Sequence, residues 1–560
     1  MKHAPRDSQW AAIRDTTHHL LVTAGAGTGK THTVVGKVLY LLGMPVRGET
    51  CAAPITLADI AAITYTNQAA ADLKRKLREE LRLANRRELA ASVDEARIGT
   101  IHAFCSDVLR EFALRGGLPP SLRILTEDDT HPLISEIARD TVISAVEMES
   151  VANVNTLLAQ WSLPDITAWV ATLAADTHRL ARLANARASL GVREGALLDI
   201  ARMAHDALEE RMRRDAAMDF HRMLTWARDL IRDAPGVCAA LRRRIRVLIV
   251  DEFQDVDPVQ KQIAYLLADP LSRAPDTPRL MLVGDPKQSI YAFRGADVTV
   301  WNQVHRDFTE RGAGLVMHIE DNFRSVAPIL AFVASAIGPQ LDAPVQGADL
   351  QDFEIPFHPV HPARPDGPDD HAVEFIVLPP DPDGKRTVGT VRASEAEAVA
   401  QRMLELHDTE GTDWRDMAIL LTGWGALDTY AGALGQAGIP CYALRQEGFF
   451  ERREILDLIL ALRVVRDPRD DTALLGFLRA PFVGAKDESL FALALDAKRP
   501  LFHVTPAAGC PEWQLLANAF ALIDRYAGMR DRLPAAELLH RLLEETGYLA
   551  HLALLGADGH

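Results

Sequence analysis

Cysteine is scarce: five residues (Cys51, Cys105, Cys238, Cys441 and Cys510) in a chain of 560, spread so widely that no C-x-x-C pair forms. That spacing excludes a disulfide framework, a zinc site and an iron–sulfur cluster, and it predicts reduced, mostly buried thiols. Apolar runs of about 18 residues, the length that spans a bilayer, are missing too, so no membrane segment is expected. The N-terminus, MKHAPRDSQW, has no apolar stretch of the kind a signal peptide needs, and a cytoplasmic location is expected. Short-period repeats are absent. Positive charge is in deficit: 61 Lys and Arg stand against 77 Asp and Glu, a net charge of −16. Taken alone, that deficit argues against a phosphate-rich partner. The basic residues nevertheless cluster, in Lys74–Arg75–Lys76 with Arg78 and Arg82, in Arg211, Arg213 and Arg214, and in Arg242–Arg243–Arg244 with Arg246. Each cluster reads either as a solvated helix face or as a phosphate contact, and only its neighbours can decide.

The length is too great for one core, so several domains are expected. A hydrophobic share of 48% and a charged share of 25% are those of a globular protein. Short apolar runs at Leu20–Ala24, Ile60–Thr66, Arg97–His102, Val247–Val250 and Leu280–Val283 alternate with helical stretches. Such runs predict an α/β fold with a parallel sheet covered on both faces, and ligands on such sheets bind at the carboxyl ends of the strands. Between residues 118 and 215 the strand signal gives way to helices. Residues 339–370 hold seven prolines among polar and acidic residues and read as an irregular linker. Further strands are predicted at Ala372–Leu378, Met417–Leu421 and Cys441–Leu444, and helices from about residue 450 onward.

Ala24-Gly25-Ala26-Gly27-Thr28-Gly29-Lys30-Thr31 follows a predicted strand and opens a predicted helix. In that setting backbone N–H groups cradle phosphates, the helix dipole favours negative charge, Lys30 reaches the β/γ-phosphates and Thr31 offers its hydroxyl to Mg²⁺. Asp251-Glu252 ends the run Val247–Val250, which suits a second Mg²⁺ ligand at Asp251 and a water-activating base at Glu252. Hydrolysis of a nucleotide is the expectation these residues support.

Asp251-Glu252-Phe253-Gln254-Asp255 resembles motif II of the UvrD/Rep group of superfamily 1 helicases, and the group's other motifs follow in order. Asp7-Ser8-Gln9 resembles the adenine-reading Q motif. Ile63–Ala70 resembles motif Ia, and Gly99–Cys105 resembles motif Ib in its AddA and RecB form. Asp219-Phe220 resembles the short motif before motif II, Gly284–Asp297 motif III, and Asn322-Phe323-Arg324-Ser325 motif IV. Glu447–Ile455 is similar to the junction into the second helical insertion.

The resemblance implies two RecA-like P-loop domains with helical insertions, the second incomplete. Residues 1–117 and 216–320 would form the first motor domain and 118–215 its insertion. Residues 321–450 would form part of the second motor domain and 451–560 part of its insertion. The cofactors implied are ATP and Mg²⁺. Gln288 would sense the γ-phosphate, Arg324 would act as an arginine finger, and Phe323 would pack on adenine with His32 near the other face. Tyr65, Tyr291 and Phe293 would stack on bases of single-stranded DNA, with Thr66, Asn67, Thr100, His102 and Arg294 beside them. The function implied is an ATP-dependent DNA helicase or translocase running 3′ to 5′ in repair or recombination, partnered by single-stranded DNA or a single-stranded tail. Segments resembling motifs V and VI are not found, which leads us to expect a truncated or split motor. Two other readings stay open: an ATP-gated single-strand clamp, or one subunit whose nuclease or second half is another chain.

Overall fold

The computed structural model describes residues 3–119, 121–147, 154–272, 274, 276–342, 353–364, 373–379, 387–443, 452–495, 500–504, 510 and 512–554. They divide into two compact units, Met1–Glu374 and Phe375–His560.

The first unit is α/β and begins with helix α1 (Asp7–Arg14). Its strands in chain order are β1 (Leu20–Ala24), β2 (Ile60–Thr64), β3 (Arg97–Thr100), β4 (Arg123–Ile124), β5 (Ala217–Met218), β6 (Val247–Val250), β7 (Arg279–Gly284), β8 (Leu315–Ile319), β9 (Asp321–Asn322) and β10 (His361–Pro362). Six of them form one sheet in the order β3-β2-β6-β7-β1-β8. Every pairing in it is parallel. β1, β2 and β6 are buried along their whole length, which is why they are apolar apart from Thr23 and Thr64. Two apolar layers cover the sheet. One holds Val34, Val38, Leu73 and Leu77 from helices α2 (Lys30–Leu41) and α3 (Asn67–Leu83). The other holds Leu109, Leu224, Ile263 and Trp301.

Between β4 and β5 the described residues are mainly helical, from Glu127–Glu147 to Val192–Arg214, around a core that includes Val142, Val170 and Ile200. The sequence reading missed β8. At the sheet edge Leu315 and His318 are exposed, and the strand lacks the apolar run that marks the others.

The second unit, among its described residues, is helical. Val388–Glu410 packs on Leu427–Gln436 through Ala400 and Leu434. A larger cluster gathers helices from Arg453–Arg466 to Tyr548–Leu554 around the stacked rings of Phe477, Phe482 and Tyr548. No described residue of Ala372–Leu378, Met417–Leu421 or Cys441–Leu444 forms a strand, contrary to the sequence reading. A strand exists only by pairing with a neighbour, and here the apolar side chains of Phe375, Val377 and Leu420 stand exposed. Residues 444–451, most of the segment compared with the second-insertion junction, and 343–352 and 365–370 of the predicted linker lie outside the described residues. No helix among the described residues is long and apolar enough to cross a membrane.

Candidate nucleotide site and aromatic platform

The loop after β1 turns into α2 through two left-handed glycines, Gly27 (φ 76°) and Gly29 (φ 84°). A side chain at either would be strained. Thr28 closes the turn, its hydroxyl donating to the Gly25 carbonyl at 2.8 Å. Ala24 is the buried last residue of β1, and Ala26 carries the next turn of the loop. Lys30 and Thr31 open α2, with His32 behind them; burial lowers the pKa of His32.

Lys30 crosses the site to Glu252, with Nζ to Oε2 at 2.6 Å. Glu252 follows β6 in a left-handed conformation (φ 53°), uncommon away from glycine and often a mark of functional sites. Asp251, 8% exposed, is held by its backbone N–H, which donates to the Ile63 carbonyl at 2.8 Å, and its carboxylate accepts the Glu252 N–H at 3.0 Å. Burial and the neighbouring Glu252 charge push its carboxyl up to about 6, against the opposing pull of Lys30 and Lys76. Burial, then Glu252, likewise push Asp255 up to about 6. A cation beside Asp251 would offset that cost. The hydroxyl of Thr31 and the carboxylate of Asp251 are hard oxygen donors, the kind Mg²⁺ takes together with phosphates and water. Among the described residues no cluster of three or more His, Cys, Asp or Glu forms an all-protein metal cage.

Three further segments converge on the loop. Gln9, 2% exposed, donates to the Thr28 carbonyl at 2.9 Å and accepts the Arg6 N–H at 2.9 Å. Asn322, also 2% exposed, donates to the Ala26 carbonyl at 2.6 Å, and its own carbonyl accepts the N–H groups of Arg324 and Ser325. The Phe323 N–H donates to the Gly27 carbonyl at 2.9 Å, and the Arg6 guanidinium lies 5.9 Å from the centre of the Phe323 ring. Arg324 is so close that a Cβ built on Gly27 would sit 2.5 Å from its own Cβ. On the other side, Gln288 donates to Asp285 at 2.7 Å, just beyond the end of β7.

The remaining sequence-predicted residues gather at a second place. Tyr65 and Tyr291 stack with ring centres 5.1 Å apart, and Phe293, 79% exposed, lies 5.9 Å beyond Tyr291. Thr66 and Thr100 cap helices, accepting the N–H groups of Ala69 and Ala103, and Asn67 begins α3. His102 packs edge-on against Phe220 at 5.4 Å. The side chain of Arg294 lies outside the described residues.

Residues 6–309 match the UvrD/REP helicase N-terminal domain, and residues 317–505 match the UvrD-like helicase C-terminal domain. The chain belongs to the UvrD/REP helicase family. It is similar to the ATP-dependent DNA helicase UvrD1 of Mycobacterium tuberculosis, with 27% identity over 551 residues covering 95% of this chain and 63% of the relative. It is also similar to the ATP-dependent DNA helicase PcrA of Staphylococcus aureus, with 23% identity over 554 residues covering 96% of this chain and 65% of that one. The chain thus spans less than two thirds of the length of these relatives.

Within this UvrD/REP-type site, motif reading left three residues without roles: Arg6, Gln254 and Asn322. Arg6 had no signal beyond proximity to Gln9. Gln254 and Asn322 sit inside recognised motifs, but only burial and hydrogen bonding give them something to do.

Proposed function

We propose that the chain is an ATP-dependent translocase and helicase on single-stranded DNA. The observation that carries this reading is the meeting of Lys30 and Glu252 beside the P-loop. A phosphate-binding cation and a candidate base face one another where β1 and β6 end.

The P-loop N–H groups and Lys30 would hold the phosphates, with Gln9, Phe323, His32 and Arg6 around the base. Mg²⁺, held by Thr31 and Asp251, would neutralise phosphate charge. Glu252 would take a proton from water as its oxygen bonds to the γ-phosphorus and the bond to the bridging oxygen of ADP breaks. Gln288 and Arg324 would stabilise the transferring group. Tyr65, Tyr291 and Phe293 would stack on bases, a grip indifferent to sequence because every base offers a π-face. Thr66, Asn67, Thr100, His102 and Arg294 would follow the sugar–phosphate chain.

The domain assignment goes with this reading. Residues 1–117 and 216–320 would serve as the first motor domain, 118–215 as its insertion, 321–450 as part of the second motor domain and 451–560 as part of its insertion. The relatives' names support helicase activity. By its resemblance to the UvrD/Rep group the motor would run 3′ to 5′ in repair or recombination, beside a nuclease-bearing or complementary chain, in the cytoplasm.

The test is ATP hydrolysis by the purified chain with and without oligo-dT, alongside Lys30→Ala. Stimulation by DNA that disappears in the variant is expected. Retained ATP and DNA binding without turnover would sink the motor reading and leave a clamp.

A further inference from the structure

The segment Gly284–Asp297 serves both places at once. Near its start Gln288 is tied to Asp285, and further on it carries Tyr291 and Phe293. Gln254, 3% exposed, joins that segment to Glu252. Its Nε2 donates to Glu252 Oε2 at 2.9 Å and to Asp255 Oδ2 at 3.1 Å. Its Oε1 accepts the Asp285 N–H at 3.0 Å, and its backbone carbonyl accepts the Ser289 hydroxyl at 3.0 Å. The amide can face only one way: reversed, its oxygen would meet two carboxylates and its NH₂ would meet an N–H.

We propose that Gln254 is a positioning residue through which a strand bound on the Tyr65–Tyr291–Phe293 platform orients Glu252 for hydrolysis. This rests on the motor reading above. A carboxamide is a rigid plane, so displacing its oxygen moves its nitrogen. The contact at the oxygen end is close: a Cβ on Gly284 would stand 2.6 Å from Gln254 Oε1 and 2.9 Å from the Trp301 ring. Ser289, two positions before Tyr291, grips the backbone of the same residue. A shift of the Asp285–Tyr291 stretch on strand binding therefore reaches Glu252 Oε2, the atom that also meets Lys30. Methionine has nearly the length of glutamine and neither its donor nor its acceptor, so it cuts this path while filling the space. Ser289→Ala loosens the same path from the surface side and leaves the buried amide intact.

The experiment measures kcat for ATP without DNA and with saturating oligo-dT, together with oligo-dT affinity by fluorescence anisotropy, in the full chain. For Gln254→Met the stimulation ratio is expected to fall by about fivefold or more, a normal size for coupling between two sites. For Ser289→Ala a fall of about two- to tenfold is expected, the worth of one hydrogen bond. Oligo-dT affinity should hold in both. Equal losses with and without DNA, or an unchanged ratio, would overturn the proposal, because a merely structural role lowers both rates together. If the parent chain itself shows no stimulation, the motor reading fails first and takes this coupling with it.

Discussion

Lys30 and Glu252 are 222 positions apart in the chain and meet at 2.6 Å. Lys30 opens the helix after β1 and Glu252 follows β6, so the sheet brings them together across β7. A phosphate arriving at Lys30 competes with Glu252 for the same ammonium, which makes the two residues separable by mutation.

Glu252→Gln removes the base and one side of that competition. Turnover is expected to fall by about 10²–10⁴-fold, the usual worth of general base catalysis, with ATP affinity undiminished. Lys30→Ala should lose affinity as well as turnover. Equilibrium binding of a fluorescent ATP analogue beside steady-state hydrolysis separates the two. Weaker binding in Glu252→Gln would show that the carboxylate helps hold nucleotide.

Gly27→Ala meets two obstacles. Its backbone is left-handed at φ 76°, and the new methyl carbon would stand 2.5 Å from Arg324 Cβ. The loop and the Asn322–Arg324 segment must move apart, so hydrolysis is expected to be nearly abolished. Gly25→Ala needs no left-handed φ and meets Val360 Cγ1 at 3.0 Å, a contact a side chain can relieve, so it should keep part of its activity. Similar losses in the two variants would show that the approach of Arg324 is irrelevant.

Phe293 is the exposed member of the aromatic group, whereas Tyr65 and Tyr291 stack on one another. Phe293→Ala is expected to weaken oligo-dT binding by about 1–3 kcal/mol, the value of one base–aromatic stack, without loss of thermal stability. Anisotropy titration with oligo-dT and a melting curve check both. A fall in stability with unchanged affinity would return Phe293 to the core.

Much of this was legible in the sequence because the sheet is buried on both faces. Val247–Val250 is an unbroken apolar run and Leu20–Ala24 is apolar but for Thr23, so pattern alone places the residues after them, Lys30 and Glu252, at one end of a sheet. β8 was missed because an edge strand is partly wet. The strands expected beyond residue 371 show the opposite error. Apolar, β-branched stretches such as Phe375–Val377 carry strand propensity, but pairing is a property of the neighbour rather than of the stretch. Roles within motifs were harder still. Gln254 and Asn322 are recognisable by position, yet their function lies in which carbonyl, carboxylate or N–H each meets, and no spacing rule encodes that.

His19 gives the sheet a pH dependence. Its Nδ1 accepts the Leu280 N–H at 2.9 Å and its carbonyl accepts the Leu315 N–H, so one residue joins the start of β1 to β7 and β8. Burial, helped by the Arg279 charge, lowers its pKa from an ordinary 6.5 to about 4. Between those values the unfolded chain binds a proton that the folded chain refuses, so stability falls as pH drops through the window and the loss levels off below about 4. The full loss is about 3 kcal/mol at most. Asparagine at this position offers a carbonyl oxygen in place of Nδ1 and does not titrate. Denaturation of parent and His19→Asn chains between about pH 7 and about pH 4.5 should therefore show the two curves converging as the solution is acidified, whatever the other carboxylates contribute to both. Parallel curves would mean that His19 accepts its proton in the folded sheet as readily as outside it, and the Leu280 N–H would need another acceptor.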